Sequence, residues 1–195
     1  MREIRGNLFT VKADAICIPV DGSVVIEETE LLGKAVKIAK HVFRSEVGIQ
    51  AQALWPDLSE LVGWWISRCG AVPGIVKVVS GPKVILPFFT KPAGFTARDR
   101  VLPAFRDTKI SGGYYPGYFS CGDLKLMEEN AAVLTMLVDT YGWKTVAIPR
   151  FGCGTGKMQW EGQMRDFLHT IFPPQTDEDD RFLLVEWDGS VVTNL

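Results

Sequence analysis

The stretch Thr145–Leu168, TVAIPRFGCGTGKMQWEGQMRDFL, decides how this sequence is read. Its opening TVAIP is a short apolar run of the kind buried on both faces of a sheet. Pro149 stops such a strand at little cost. The run leads directly into Gly152-Cys153-Gly154-Thr155-Gly156-Lys157. Beyond it, Trp160, Met164, Phe167, Leu168 and Ile171 recur at helical spacing over 159–172, up to Pro173-Pro174. Glycines at 152, 154 and 156 permit positive φ and let a ligand approach the backbone closely. Successive N–H groups in such a loop form an anion nest, and a helix N-terminus adds the positive end of its dipole. Phosphate or pyrophosphate is the natural guest; a tight strand-to-helix turn is the plainer alternative. The spacing is not GxxxxGK[ST], because no Ser or Thr follows Lys157, and GxGxxG lacks its last glycine here.

Similar apolar runs flank this unit on both sides. DAICIPV at 14–20, GIVKVVS at 74–80, KVILPFF at 83–89 and RFLLVEW at 181–187 each read as a strand. Between them, Leu32, Ala35, Val36, Ala39, Val42 and Phe43 predict an amphipathic helix over 29–43, with Lys34, Lys37 and Lys40 on its other face. The Trp-rich segment 48–70 predicts one or two short helices. A longer helix is predicted over 122–141, capped by Ser120 and ended by Gly142. Alternating strands and helices predict an α/β fold with a mixed, largely parallel sheet. The 195 residues fit one domain spanning 1–195.

Composition narrows the class. The 21 Lys and Arg against 23 Asp and Glu leave a net charge of −2, which argues against general binding to nucleic acid or membrane through bulk charge. The chain has no apolar run of ~18 residues, and its N-terminus does not read as a signal peptide. Cys17, Cys69, Cys121 and Cys153 are widely spaced, which predicts a reduced, cytoplasmic protein. With His41 and His169 alone, a His-rich metal site is excluded; no metal or cofactor is expected. The acidic run 177–180 reads as a solvated connection rather than a cation site. The long 90–120 loop reads as functional. Arg98, Arg100, Arg106 and Lys109, mixed with Phe105, Tyr114, Tyr115, Tyr118 and Phe119, suit either contact with nucleic acid or a lid over a ligand.

IPRFGCGTGKMQW resembles the second phosphate loop of macro domains, the ADP-ribose-binding three-layer α/β/α modules. The resemblance points to the subgroup of terminal ADP-ribose protein glycohydrolase and the DNA ADP-ribosyl glycohydrolase antitoxins. GNLFTVKADAICIPV resembles the family's opening strand pair, Gly33-Lys34 its Gly-Lys-Gly at the first-loop helix, and LPFFTK at 86–91 its strand ending in Thr-Lys. Together these stretches span residues 3 to 187. The protein glycohydrolase carries an aspartate where Gly156 stands here, so the glycine is nearer the antitoxin pattern.

The resemblance implies a ligand across the carboxyl ends of the strands, where open α/β sheets bind them. Gly152, Cys153, Gly154, Thr155, Gly156 and Lys157 then hold the diphosphate, with Gly33 and Lys34 adding amides and charge. Asn7 and Leu8 fall at the adenine-contacting position, and Trp187 offers an aromatic face. Asp21, with Gly22 and Ser23, replaces the family's Asn-containing first loop; a ribose contact, a base and a turn residue all suit it. Lys91 matches the lysine implicated at the anomeric carbon, as a nucleophile or as a group that steadies charge. Cys153 reads as packing, because no histidine is near it in sequence to activate it. The expected function is therefore binding of ADP-ribose or an ADP-ribosylated protein or nucleic acid, with hydrolysis of the ADP-ribosyl linkage. A non-catalytic binding module and an ADP-ribose 1″-phosphate phosphatase are the alternatives.

Overall fold

A computed structural model describes residues 1–77, 84–96, 114–154, 156–173, 181–188 and 190. In chain order its elements are β1 (Arg2–Gly6), β2 (Ala15–Asp21), β3 (Val25–Leu31), β4 (Lys34–Lys40), α1 (Glu46–Leu54) and α2 (Leu58–Cys69). There follow β5 (Val76–Lys77), β6 (Val84–Lys91), β7 (Gly94–Thr96), β8 (Tyr114–Pro116), α3 (Leu124–Tyr141), β9 (Val146–Pro149), α4 (Arg165–Ile171) and β10 (Phe182–Trp187).

The central sheet has the order β1-β10-β9-β2-β6-β5. All neighbours pair in parallel except β5, which runs antiparallel along the edge. Its inner strands β10, β9, β2 and β6 read as apolar runs because both faces are covered. On β2, Ile16, Ile18 and Val20 join Leu58, Val62 and Ile66 of α2 in one cluster. Ala15 and Cys17, pointing the other way, join Met127, Ala131 and Leu134 of α3 and Leu168 of α4. The period of two along a strand thus feeds two separate cores. The result is a three-layer α/β/α sandwich around a mixed, largely parallel sheet, as the sequence predicts.

Helix α3 is capped by Asp123, whose side chain accepts from the Leu126 amide at 3.2 Å, and Gly142 closes it at φ 63°. Ser120 is not the cap; its hydroxyl donates to the carbonyls of Gly117 and Cys121. Within α3, buried Asn130 accepts from the Phe89 amide at 3.1 Å and donates to the Leu126 carbonyl at 2.8 Å. That bridge pins the end of β6 to the helix and so fixes where Thr90 and Lys91 emerge.

Two helical expectations are corrected. Residues 29–43 do not form a helix: β3 and β4 pair as an antiparallel hairpin in which Leu31 faces Lys34. The two-residue turn Leu32-Gly33 has φ 52° and 74°, the positive pair of a type I′ hairpin turn. Leu32 carries no Asn-Gly signature and lies 95% exposed. The hairpin rests on α2, where a Cβ at Gly63 would strike the Ala39 carbonyl and stand 2.6 Å from Lys40 Cα. The helix predicted over 159–172 begins later, because Glu161 and Gly162 are non-helical, with Gly162 at φ 71°. An irregular turn at Trp160–Met164 precedes α4.

The loop after β6 folds back as the β7–β8 hairpin and a single 3-10 turn, Gly117–Phe119. The basic residues 98–109 and the acidic run 177–180 lie outside the described residues. So do residues 78–80 of the strand predicted over 74–80, of which Val76–Lys77 is β5. Among the described residues no helix is long and apolar enough to cross a membrane, and no group of three His, Cys, Asp or Glu could hold a metal.

Candidate functional site

A cavity of about 350 Å³ opens where the parallel strands end. Gly6 and Asn7 follow β1, Val20 and Asp21 end β2, Thr90 and Lys91 end β6, Pro149 ends β9, and Val185 and Trp187 belong to β10. Carboxyl ends of five strands therefore form one wall, the place an open α/β sheet offers a ligand.

The glycine loop forms one side. Gly152 has φ 73° and Lys157 φ 58°. The carbonyl of Gly152 accepts from Met158 N at 3.1 Å, and that of Gly154 accepts from Lys157 N at 3.1 Å. A Cβ on residue 156 would collide with the Gly152 carbonyl, so the turn closes this tightly only with glycine there. The Gly156 carbonyl accepts from Gly122 N at 3.1 Å, which ties the loop to the start of α3. The amides of Cys153, Gly154 and Gly156 take no hydrogen bond among the described residues. Gly152, Cys153, Gly154 and Gly156 line the cavity. Thr155 lies outside the described residues, and Lys157 is exposed, away from the lining. Burial raises the Cys153 thiol, with Arg150 opposing, and the thiol donates to the Phe151 carbonyl at 3.2 Å. Both disfavour the thiolate that a nucleophilic cysteine needs.

Across the cavity stands the start of α1. Ser45 caps the helix by accepting from Gly48 N at 3.0 Å, and Ser45, Glu46 and Val47 line the space. The first turn of α1 and the glycine loop thus line the same cavity. This is the contribution expected of Gly33 and Lys34, but the structure does not bring those two to the cavity. They sit at the exposed hairpin tip, with nothing within 4 Å of a Cβ on Gly33. The available signal for α1 was Ser45 followed at once by an acidic residue in a first turn.

At the far end, four charged or titratable side chains meet. Asp21 and Lys91 are neighbours in the β2–β6 register, past a shift between Val20 and Asp21. Both are buried. Asp21 Oδ1 accepts from Ser23 N at 3.0 Å and from the Ser23 hydroxyl; Oδ2 accepts from Arg44 Nη1 at 3.2 Å. Gly22 N donates to the Lys91 carbonyl at 3.1 Å, and a Cβ on Gly22 would stand 2.6 Å from Ala93 N. So Gly22 and Ser23 shape the site from beneath and do not line it. Lys91 Nζ donates to the Tyr118 carbonyl at 3.0 Å. Burial pulls its pKa down; Asp21 and Cys121 oppose this, and Arg44 and Lys157 add to it. The Arg44 guanidinium lies 3.8 Å from the Tyr118 ring centroid, so the 117–119 turn is clamped over Asp21 and Lys91 together. His41 completes this wall, its Nδ1 3.0 Å from the Ser23 carbonyl. Sequence reasoning missed Arg44 and His41, since both follow a hairpin misread as a helix.

At the opposite end, Asn7 is buried and already engaged: its Oδ1 accepts from Phe9 N at 2.9 Å and its Nδ2 donates to the Ser190 carbonyl at 2.9 Å. The same carbonyl accepts from Trp187 Nε1 at 2.8 Å. Trp187 is half exposed and lines the cavity beside Leu8, so an aromatic face is offered to a flat guest. Arg150 also lines the space; its guanidinium lies 4.6 Å from the Trp160 ring centroid and pairs with Glu186.

Comparison with solved structures places this architecture. The macrodomain of Mycobacterium tuberculosis DarG superposes with a TM-score of 0.61 at 15% identity, covering 97% of this chain and 97% of that one. The macrodomain of Thermus aquaticus DarG gives 0.58 at 16% identity, covering 94% and 95%. Thermosipho africanus DarTG in complex with ADP-ribose gives 0.57 at 12% identity, covering 98% of this chain and 43% of that one. The chain therefore has the macrodomain fold, and among the similar structures are macrodomains of DarG. No family model matches the sequence, and no curated protein matches it.

Proposed function

We propose that the cavity takes ADP-ribose or an ADP-ribosyl group and that the chain hydrolyses the bond at the anomeric carbon of the distal ribose. The observation that carries this reading is the pairing of two unlike ends in one cavity. One end is a glycine loop with unengaged amides that shares the cavity with a helix N-terminus; the other is a buried lysine beside a carboxylate. A similar fold was solved with ADP-ribose, which supports the choice of ligand.

In this reading the diphosphate lies between the amides of Cys153, Gly154 and Gly156 and the first turn of α1. Adenine stacks on Trp187 at one end. The distal ribose reaches Lys91 at the other. As the linkage breaks, negative charge gathers on the leaving atom, and the Lys91 ammonium steadies it and gives up a proton. Its lowered pKa makes it a readier acid than an exposed lysine. Asp21, with both oxygens engaged, orients Arg44 and Ser23 rather than acting as a base. The same engagement of Asp21 favours one alternative, a module that binds ADP-ribose without turning it over.

Calorimetry with ADP-ribose tests the ligand. Release assays on ADP-ribosylated protein, ADP-ribosylated DNA and ADP-ribose 1″-phosphate then test the reaction. Binding with release from protein or DNA is expected. Binding without any release would make the chain a reader, and release from the phosphate alone would make it a phosphatase.

A further inference from the structure

We infer that His41 is the catalytic base of this reaction, taking through its Nε2 the proton of the water that attacks the distal ribose. The inference rests on the hydrolase reading above.

The structure buries this histidine and holds it from several sides. Its amide donates to the Ser59 carbonyl at 2.9 Å, and its carbonyl accepts from the Ser59 hydroxyl at 2.7 Å. Its ring meets Phe43 edge-on, with centroids 4.7 Å apart. Nδ1 lies 3.0 Å from the Ser23 carbonyl. A carbonyl oxygen only accepts, so Nδ1 carries the hydrogen and the neutral ring keeps its lone pair on Nε2. No hydrogen bond engages Nε2 among the described residues, while the residue lines the cavity with Asp21 and Lys91. A base presented in one tautomer, with its other nitrogen held by a backbone carbonyl, is the arrangement proton abstraction requires.

Burial keeps the ring neutral against Asp21 and the Ser23 carbonyl. Burial lowers its pKa from the ordinary value of 6.5, Arg44 adds to this, and Asp21 on β2 opposes it. On α2, Glu60 is occupied by Lys40 at 3.3 Å. At neutral pH the ring is therefore a free base. The step balances. The water oxygen bonds to the anomeric carbon as the bond to the leaving atom breaks. That electron pair goes to the leaving atom, which takes a proton from Lys91. The water's proton goes to Nε2, and solvent returns a proton from the imidazolium to the lysine. Acid and base then both line the cavity, each with Asp21 among its charged neighbours.

His41→Asn keeps a donor for the Ser23 carbonyl and removes the base. The test compares wild type, His41→Asn and Lys91→Ala for ADP-ribose affinity and for single-turnover release from about pH 5 to 9. His41→Asn is expected to bind within about threefold of wild type and to lose roughly 100-fold in release rate. It should also lose the acidic limb of the pH profile, and added imidazole should restore part of the rate. Release within threefold of wild type, a retained acidic limb, or affinity lost in step with rate would overturn the proposal. Lys91→Ala impaired beside an unimpaired His41→Asn would leave the hydrolase standing without its histidine. A wild type that binds but releases nothing would end both. Nitrogen-15 spectra of the wild type supply a readout independent of the variant's folding. With two histidines in the chain, the His41 signals are readily assigned. They should show the Nδ1–H tautomer, with Nε2 shifting on ADP-ribose addition. The other tautomer, or no shift, would count against the inference.

Discussion

The two sides of the cavity are built from different materials. The glycine loop offers backbone to the cavity, and all of its residues lie within one short stretch of chain. The Asp21–Lys91 end is built from side chains: Asp21, His41, Arg44 and Lys91 come from three separate stretches and are held by Ser23, Ser59 and the Tyr118 carbonyl. The difference teaches why one side was legible and the other was not. A loop built on backbone leaves a local mark, since glycine adopts positive φ freely and at residue 156 a Cβ would meet the Gly152 carbonyl. Side-chain recognition depends on which distant residues the topology brings together.

The comparison breaks most sharply at Lys91. Lys91→Ala should lose about 100-fold or more in release rate with ADP-ribose affinity within a few-fold, because the lysine acts on the bond being cleaved. Single-turnover rates beside calorimetry decide this; an equal loss in both would make the residue a binding group. The glycine loop should answer in the opposite manner. Gly156→Ala forces its Cβ onto the Gly152 carbonyl, so ADP-ribose affinity should fall roughly tenfold or more, and the calorimetric constant reads it directly. Trp187→Ala sharpens the adenine end. Loss of one stacking face should weaken binding by about 1–2 kcal/mol, without moving the release rate of bound substrate. Lys34→Ala and Gly33→Ala at the hairpin tip should leave affinity unchanged; a loss there would restore them to the phosphate site.

The smallest effect lies away from the cavity. Glu3 is held to a pKa of about 2 by hydrogen bonds from Arg165 and His169, against an ordinary 4.5. Since the folded state keeps this carboxylate ionised longest, its contribution is full above pH 4.5 and drains as pH falls toward 2. Glu3→Gln should therefore flatten the acid side of a denaturation midpoint plotted against pH. His41 acts similarly below 6.5, where the unfolded chain takes a proton that the buried ring resists.

Most of the sheet was readable, because strands covered on both faces must be apolar throughout, as in β2, β6, β9 and β10. The hairpin was not. Ala35, Val36, Ala39, Val42 and Phe43 fit a helical stripe, while the strand signals were diluted by exposure and a type I′ turn built on leucine. A ribbon whose first strand is exposed throughout carries no inward-outward contrast to betray its period. That single misreading drew attention to Gly33-Lys34 instead of the cavity-lining Ser45–Val47 and hid His41 and Arg44. Asp21 and Lys91 were visible only through family resemblance. Their meeting in register depends on strand pairing across 70 residues.

A crystal structure of the chain with ADP-ribose tests the central claim most directly. The account predicts both phosphates within hydrogen-bond reach of the amides from Cys153 to Gly156, adenine on Trp187, and the distal ribose against Lys91. A ligand seated elsewhere, or its diphosphate on side chains with the loop amides untouched, would contradict it.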